Sequence, residues 1–155
     1  MEINYTGHSL VTTLNHMIMI TIDGSKGYKT ASEQVRTPEI KLFLASLSAE
    51  RANMAEELER EVISLGEVPD KQGGPLAALH RMWIEIKAGL ESSNERSIVE
   101  SCEKGDQTAI SSFVNALAHE AVSPKTRIIL QELLEKIEDD LLKLNTLKTT
   151  LLSNT

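Results

Sequence analysis

Two dipeptides, Thr37-Pro38 and Ser123-Pro124, each precede a run of roughly 28 residues that has helical apolar spacing and no internal proline. A hydroxyl residue followed by proline favours a helix start, because the hydroxyl can accept an orphan backbone N–H and proline has no N–H to leave unsatisfied. Two more runs of similar length begin near Ser9 and Asn94. Four matched helices of about 40 Å each predict a long four-helix bundle.

Composition indicates an all-α chain that forms one domain. The sequence has 155 residues, and we predict a single domain over residues 1–155. Aromatic residues make up only 3% of the sequence, so the core must be aliphatic. A net charge of −7 without a basic stripe argues against nucleic-acid binding.

Cysteine usage and hydropathy predict where the protein works. Cys102 is the single cysteine, which excludes an internal disulfide and suits a reducing cytoplasm. The first residues lack a signal-peptide pattern, and the longest apolar run is too short to span a bilayer. We therefore predict a cytoplasmic protein that does not associate with a membrane.

The apolar periodicity predicts four helices, over about 9–35, 38–65, 95–120 and 124–152. Ser9 is the predicted N-cap of the first helix, and Gly66 follows the second helix as a residue that tolerates a left-handed conformation. Gly24 and Gly27 lie inside the first helix, where we favour close contact with another helix over a break.

The apolar stripe of the second helix skips one turn between Leu47 and Met54, where Glu50 and Arg51 stand. Such a gap is typical of charged side chains at the edge of a core, which extend outward to reach solvent. We interpret Glu50 and Arg51 in this way.

A long connection separates the second and third helices. Its first part, over about 67–75, has loop composition, and its second part, over about 75–90, predicts a short helix. The apolar face of that short helix consists of Leu79, Trp83, Ile86 and Leu90. A connection of this length can travel along the bundle, so helices two and three can run parallel. The prediction is an all-α, ferritin-like four-helix bundle with one long crossover that carries a short helix.

Bundles of this shape can hold a di-metal site at mid-height, built from inward carboxylates and Glu-x-x-His pairs. Glu50 and Asp106 are the main candidate ligands for iron or manganese, because both interrupt apolar seams at a similar height. The supporting candidates are Asp23, Glu103 and Glu138. No Glu-x-x-His occurs anywhere in the sequence, and Asn53 stands where the histidine of such a pair would be.

The sequence predicts no catalytic residue, so an enzyme is the less favoured class. Cys102 lies on the apolar stripe of the third helix without a nearby histidine in sequence, which indicates a buried, inert thiol. Gly73-Gly74 leads into proline rather than into the lysine of a phosphate-binding loop.

Four segments resemble the pattern of a bacterial ferritin-like family of unknown function, small four-helix-bundle proteins of a Pseudomonas type. They are Leu79-His80-Arg81-x-Trp83-x-x-x-Lys87-x-x-Leu90, Asp23-Gly24-x-x-Gly27-Tyr28-x-x-Ala31, Ala49-Glu50-Arg51-x-x-x-Ala55-x-x-Leu58 and Glu103-x-Gly105-Asp106. The resemblance implies a ferritin-like bundle, often dimeric or higher, with no established activity. This chain has Asp106-Gln107 where family members tend to have Glu-Asp, and Asp139 where they tend to have histidine. Both departures weaken the case for a metal centre.

Two classes of function follow from these patterns. The first is a non-catalytic bundle that self-associates, as a dimer, or binds a protein partner, for example in a stress response. The alternative is a carboxylate-bound di-metal protein of ferritin or oxidase type. Six apolar residues that fall partly off the helical stripes predict a second apolar surface, such as a dimer interface: Ile18, Ile22, Leu42, Ile63, Ile129 and Leu142.

Overall fold

The computed structural model describes residues 5–70 and 94–152, with side chains from residue 10 onward. These residues form four helices: α1 (Tyr5–Gln34), α2 (Pro38–Ser64), α3 (Glu95–Leu117) and α4 (Pro124–Leu151). The described ranges contain no β-strand. The predicted all-α bundle of four long helices is therefore confirmed. The predicted crossover helix over about 75–90, with its apolar face, lies outside the described residues.

Contacts between helix ends establish the direction of each helix. At one end of the bundle, the Glu95 carboxylate at the start of α3 accepts a hydrogen bond from the backbone N–H of Thr37, at the start of α2. At the other end, Glu61 near the end of α2 accepts one from the Thr126 hydroxyl, at the start of α4. Helices α2 and α3 thus run parallel, and the chain between them joins opposite ends of the bundle, as a ferritin-like connectivity requires.

Three of the five local end signals act as the sequence predicts. The Ser123 hydroxyl accepts a hydrogen bond from the Thr126 N–H at 3.2 Å, which caps α4. The Asn94 side chain accepts one from the Ser97 N–H at 2.8 Å, so α3 begins at the Asn94 boundary. Gly66 has a φ of 85°, the left-handed conformation expected after α2.

Two of the predicted helix starts are wrong in detail. Helix α1 begins at Tyr5 rather than after Ser9, because extending a formed helix adds a backbone hydrogen bond for each residue ordered. The Thr37 hydroxyl does not cap α2, although Pro38 occupies the first turn as predicted. It donates a charge-assisted hydrogen bond of 2.7 Å to the Glu95 carboxylate, and in this orientation its oxygen accepts no hydrogen bond from a backbone N–H of α2.

The two glycines inside α1 do not interrupt the helix, which continues through both. Helices α1 and α2 approach closely beside them. The Ser25 hydroxyl donates to the Ser48 carbonyl at 2.7 Å, and the Ser48 hydroxyl donates to the Ser25 carbonyl at 2.7 Å. Close helix contact, rather than a break, is what the sequence predicts for this stretch.

The apolar core consists of two clusters at opposite ends of the bundle. The first is represented by Leu14, Leu58, Phe113 and Leu130, all fully buried, and the second by Tyr28, Leu44, Val99 and Leu144. A polar layer lies between the clusters, at the height where the predicted stripes of α2 and α3 have gaps. The candidate site lies in this layer.

The residues predicted for a second apolar surface divide into two groups. Ile18 is fully buried in the first core cluster, so its assignment to an interface is wrong, because α1 is covered on more than one side. Ile22 and Ile129 are partly buried against the same cluster. Leu42, Leu142 and Ile63 are exposed, at 72%, 69% and 60%. None of the described helices is long and apolar enough to cross a membrane.

We predict that Glu95→Ala lowers the free energy of unfolding by about 1–2 kcal/mol, since the Arg36 and Thr37 N–H groups and the Thr37 hydroxyl lose a charged acceptor. Glu100→Ala in the same helix is the control. It removes a surface pair with Arg96 that contributes about 0.5 kcal/mol or less. Urea denaturation of both variants measures the difference, and equal losses would contradict the assigned role of Glu95.

Candidate functional site

Arg51 lies at the centre of the polar layer, with its side chain only 2% exposed. It stands four residues after Leu47 and three before Met54, both of which are buried, so the helical repeat places all three on the core face of α2. The interpretation that Arg51 extends outward to solvent is therefore wrong. The side chain stays inside because carboxylates on three helices provide it with partners.

The guanidinium connects α2 to α3 and α4. Its Nη2 atom lies 3.1 and 3.2 Å from the two carboxylate oxygens of Asp106, and its Nη1 atom lies 2.9 Å from Oδ2 of Asp140. Oε1 of Glu50 is 3.6 Å from Nη1. The guanidinium carbon also lies 5.5 Å from the centre of the Tyr28 ring on α1, within the range of a cation–π contact. All four helices thus contribute to one cluster, which we call the Arg51 cluster: Tyr28, Glu50, Arg51, Asp106 and Asp140.

Burial and neighbouring charge shift the pKa values of this cluster. Desolvation is the largest single effect on the pKa of Arg51 and would lower it, but the attractions to Asp106, Tyr28 and Asp140 together outweigh desolvation, so the pKa is raised. Burial raises the pKa of Asp106, while Arg51 opposes that rise. Burial also raises the pKa of Tyr28 well above its usual value, and the charge of Asp106 adds to the effect. The arginine is therefore a permanent cation, and the tyrosine stays neutral.

Glu50 has a pKa that is raised to about 7. Desolvation is the largest cause, followed by the hydrogen bond to Asp140 and the charge of Asp140, whereas Arg51 and Lys136 lower it. Near neutral pH, Glu50 is accordingly protonated for part of the time.

A small cavity lies beside the guanidinium. Its volume is about 10 Å³, which is close to the space that one water molecule needs. Two glycines, Gly24 and Gly105, form part of its wall, together with Thr21 and Asp106. No substrate of ordinary size could enter it.

The sequence-predicted ligands do not all meet. Glu50 and Asp106 come together, but on either side of Arg51 rather than around an open position. Glu103 instead binds Lys148 Nζ at 2.6 Å and Asn145 Nδ2 at 3.0 Å. Asp23 is half-buried on α1, and Glu138 points to solvent on α4.

Sequence reasoning missed Asp140 and the inward position of Arg51. A signal for Asp140 exists, because it falls three residues after Ile137 and four before Leu144, both of which are buried core residues. That spacing places it on the core face of α4.

As they stand, these side chains do not fit a metal ion. Across residues 5–70 and 94–152, no three Asp, Glu, His or Cys side chains form a group that could hold one. Both oxygens of Asp106 and one of Asp140 already bind the guanidinium. The assignment of ligands for iron or manganese stays a prediction.

We predict that stability falls as pH rises from about 4.5 to about 7 because of Glu50, whose pKa is raised in the folded protein to about 7. In this interval the folded chain keeps a proton that the unfolded chain has lost, so ∂ΔG/∂pH for unfolding is negative. Glu50→Gln, which mimics the protonated form, should therefore gain stability relative to wild type between pH 5 and pH 8. Urea denaturation across this range measures the gain, and Glu138→Gln on the exposed face of α4 is the control. A difference that does not vary with pH would refute the prediction.

The fold is similar to that of two solved ferritin-like structures. One is a DPS protein from Vibrio cholerae O1, described as a member of a broad superfamily of ferritin-like diiron-carboxylate proteins. It has a TM-score of 0.72 and 14% identity over 91% of this chain and 89% of that chain. The other is a dodecameric thioferritin, the bacterioferritin-related protein from Bacteroides fragilis, with a TM-score of 0.69 and 17% identity over 90% and 86%. At these identities the similarity establishes a shared ferritin-like fold.

Sequence comparison gives a family as well as a fold. No curated protein matches the chain. The model of a domain of unknown function, DUF2383, matches residues 9–119, which include all of the Arg51 cluster except Asp140. The chain therefore belongs to the DUF2383 family, and it has the ferritin-like four-helix fold.

Proposed function

We propose that this protein is a non-catalytic ferritin-like bundle that acts by association with a second copy of itself or with a protein partner. A cytoplasmic location and a role in a stress response belong to the same proposal. The observation that supports it is the Arg51 guanidinium, buried at the bundle centre and paired with Asp106 and Asp140.

The Arg51 cluster supports a structural, non-catalytic role for the centre of the bundle, because its polar groups bind each other. A metal-dependent oxidase needs carboxylates that can bind the ion, and a hydrolase needs a reacting group that substrate can reach. Cys102 offers no alternative, since it is fully buried and burial raises the pKa of its thiol.

The exposed apolar side chains of α2 and α4 support association. Leu42 and Leu142 are 72% and 69% exposed. Leu42 precedes Phe43, and Leu142 precedes Lys143. These two neighbours are in contact across the helices, since Lys143 Nζ lies 4.9 Å from the centre of the Phe43 ring. Two large exposed apolar side chains on adjacent helices could form the start of a surface that a second copy covers. The thioferritin, a protein of similar fold, is described as dodecameric.

The alternative function is a carboxylate-bound iron or manganese protein. The similarity of the fold to a diiron-carboxylate protein supports it, as does the excess of carboxylates around Arg51. It requires that Glu50 and Asp106 bind an ion in spite of the guanidinium between them.

We expect the protein, purified without chelators, to contain no stoichiometric iron or manganese. We also expect Fe²⁺ and Mn²⁺ to leave its melting temperature unchanged, because a ligand raises that temperature only if the folded state binds it. Glu50→Ala should behave in the same way. A rise in melting temperature for wild type that is lost in Glu50→Ala would favour the metal-binding alternative.

We predict that Leu42→Glu and Leu142→Glu reduce the mass measured by light scattering at micromolar concentration, because a buried charge opposes apolar association. Ile128→Glu is the matched control, since Ile128 is 57% exposed near the other end of α4. A wild-type mass equal to that of the monomer at all concentrations would count against self-association. Binding to a different protein would then be the remaining form of the proposal.

A further inference from the structure

We propose that the Arg51 guanidinium takes the place of a bound cation at the centre of the bundle, and that this side chain keeps divalent metal ions out. The inference rests on the proposed function and deepens it, because it names the group that separates this chain from a metal-binding bundle.

The contacts of Arg51 resemble those of a metal ion held by carboxylates from several helices. Asp106 approaches from α3 with both oxygens, at 3.1 and 3.2 Å, and Asp140 approaches from α4 at 2.9 Å. Glu50 lies 3.6 Å away on α2 itself. Carboxylate oxygens are also the ligands that Mn²⁺ prefers. The same three side chains would surround an ion if the guanidinium were removed.

The interior has space for such an ion once the arginine side chain is gone. Arg51 is 2% exposed and Asp106 is 4% exposed, so the position is shielded from bulk water. The cavity bordered by Gly24 and Gly105 lies directly beside the guanidinium. Truncation of Arg51 would add the volume of its side chain to this cavity.

Charge balance explains why the arginine excludes a metal ion rather than sharing its carboxylate partners with one. A divalent ion that entered beside Arg51 would meet a permanent cation whose carboxylate partners are already engaged. Without Arg51, the buried carboxylate of Asp106, the mostly buried carboxylate of Asp140 and the partly exposed Glu50 would lose the cation between them, and Lys136 near Glu50 would remain as a positive charge. Such carboxylates either take up protons or bind a cation.

The test compares wild type, Arg51→Ala and Arg51→Lys, with Mn²⁺ as the probe. Loss of the electron paramagnetic resonance signal of free Mn²⁺ measures binding, and melting curves in Mn²⁺ or EDTA measure stabilisation. We expect no response from wild type or from Arg51→Lys, which keeps a cation inside. We expect Arg51→Ala to melt at a lower temperature in EDTA, to bind about one Mn²⁺ per chain, and to recover part of the lost stability with it.

Two further variants make the result specific. Arg51→Ala combined with Asp106→Ala lacks one predicted ligand and should lose the Mn²⁺ response, whereas a response that persists in it would overturn the inference. Arg51→Gln retains more of the side-chain volume. If Arg51→Ala and Arg51→Gln are both unfolded in EDTA, folding on addition of Mn²⁺ supports the inference, and failure to fold overturns it.

The outcomes separate this inference from the proposed function. A folded Arg51→Ala protein that ignores Mn²⁺ overturns the inference and leaves the non-catalytic assignment in place. Stoichiometric binding of Mn²⁺ by wild type instead overturns the assignment, since the arginine would then fail to exclude the ion.

Discussion

The buried Arg51 cluster is the constraint on which the rest of this bundle depends. Its guanidinium lies between two apolar clusters and contacts carboxylates on α3 and α4 and an aromatic ring on α1. Desolvation offsets much of the attraction within a buried ion pair, so the net gain in stability is small. Removing one partner, in contrast, leaves an uncompensated buried charge. The cluster therefore acts mainly on specificity: a shift of α3 or α4 by one residue would take a carboxylate away from Arg51.

Other carboxylates away from the Arg51 cluster also bind donors from distant parts of the chain. Glu95 accepts hydrogen bonds from the chain between α1 and α2, and Glu61 accepts one from Thr126 on α4. Glu103 pairs with Lys148. Each of these acidic groups joins two separate parts of the chain. Among the acidic residues that sequence reasoning considered as metal ligands, Asp106 and Glu103 bind donors on other helices and so connect the helices of the bundle.

The backbone fold of this protein and the side chains at the centre of its bundle support different conclusions about function. The ferritin-like fold is shared with a protein described as diiron-carboxylate, yet similar backbones can carry unrelated sites. Function has to be argued from the side chains at the centre, where a cation of the chain itself lies among the carboxylates. In the function proposed above, this single buried arginine is the group that separates the architecture from metal binding.

The sequence by itself determined the number and the approximate limits of the helices, and its long connection allowed α2 and α3 to run parallel. Proline at the starts of α2 and α4, Gly66 after α2 and the length of the chain before Asn94 are local signals, which act within one turn or through chain connectivity. Tertiary structure decided the inward position of Arg51, the roles of Asp106 and Asp140, and the acceptor that Thr37 uses. Arg51 lies 55 positions from Asp106 and 89 positions from Asp140 in the sequence, and Thr37 lies 58 positions from Glu95. A charged residue in a gap of an apolar stripe can face solvent or the core, and only the partners that other helices bring to it decide which has the lower free energy.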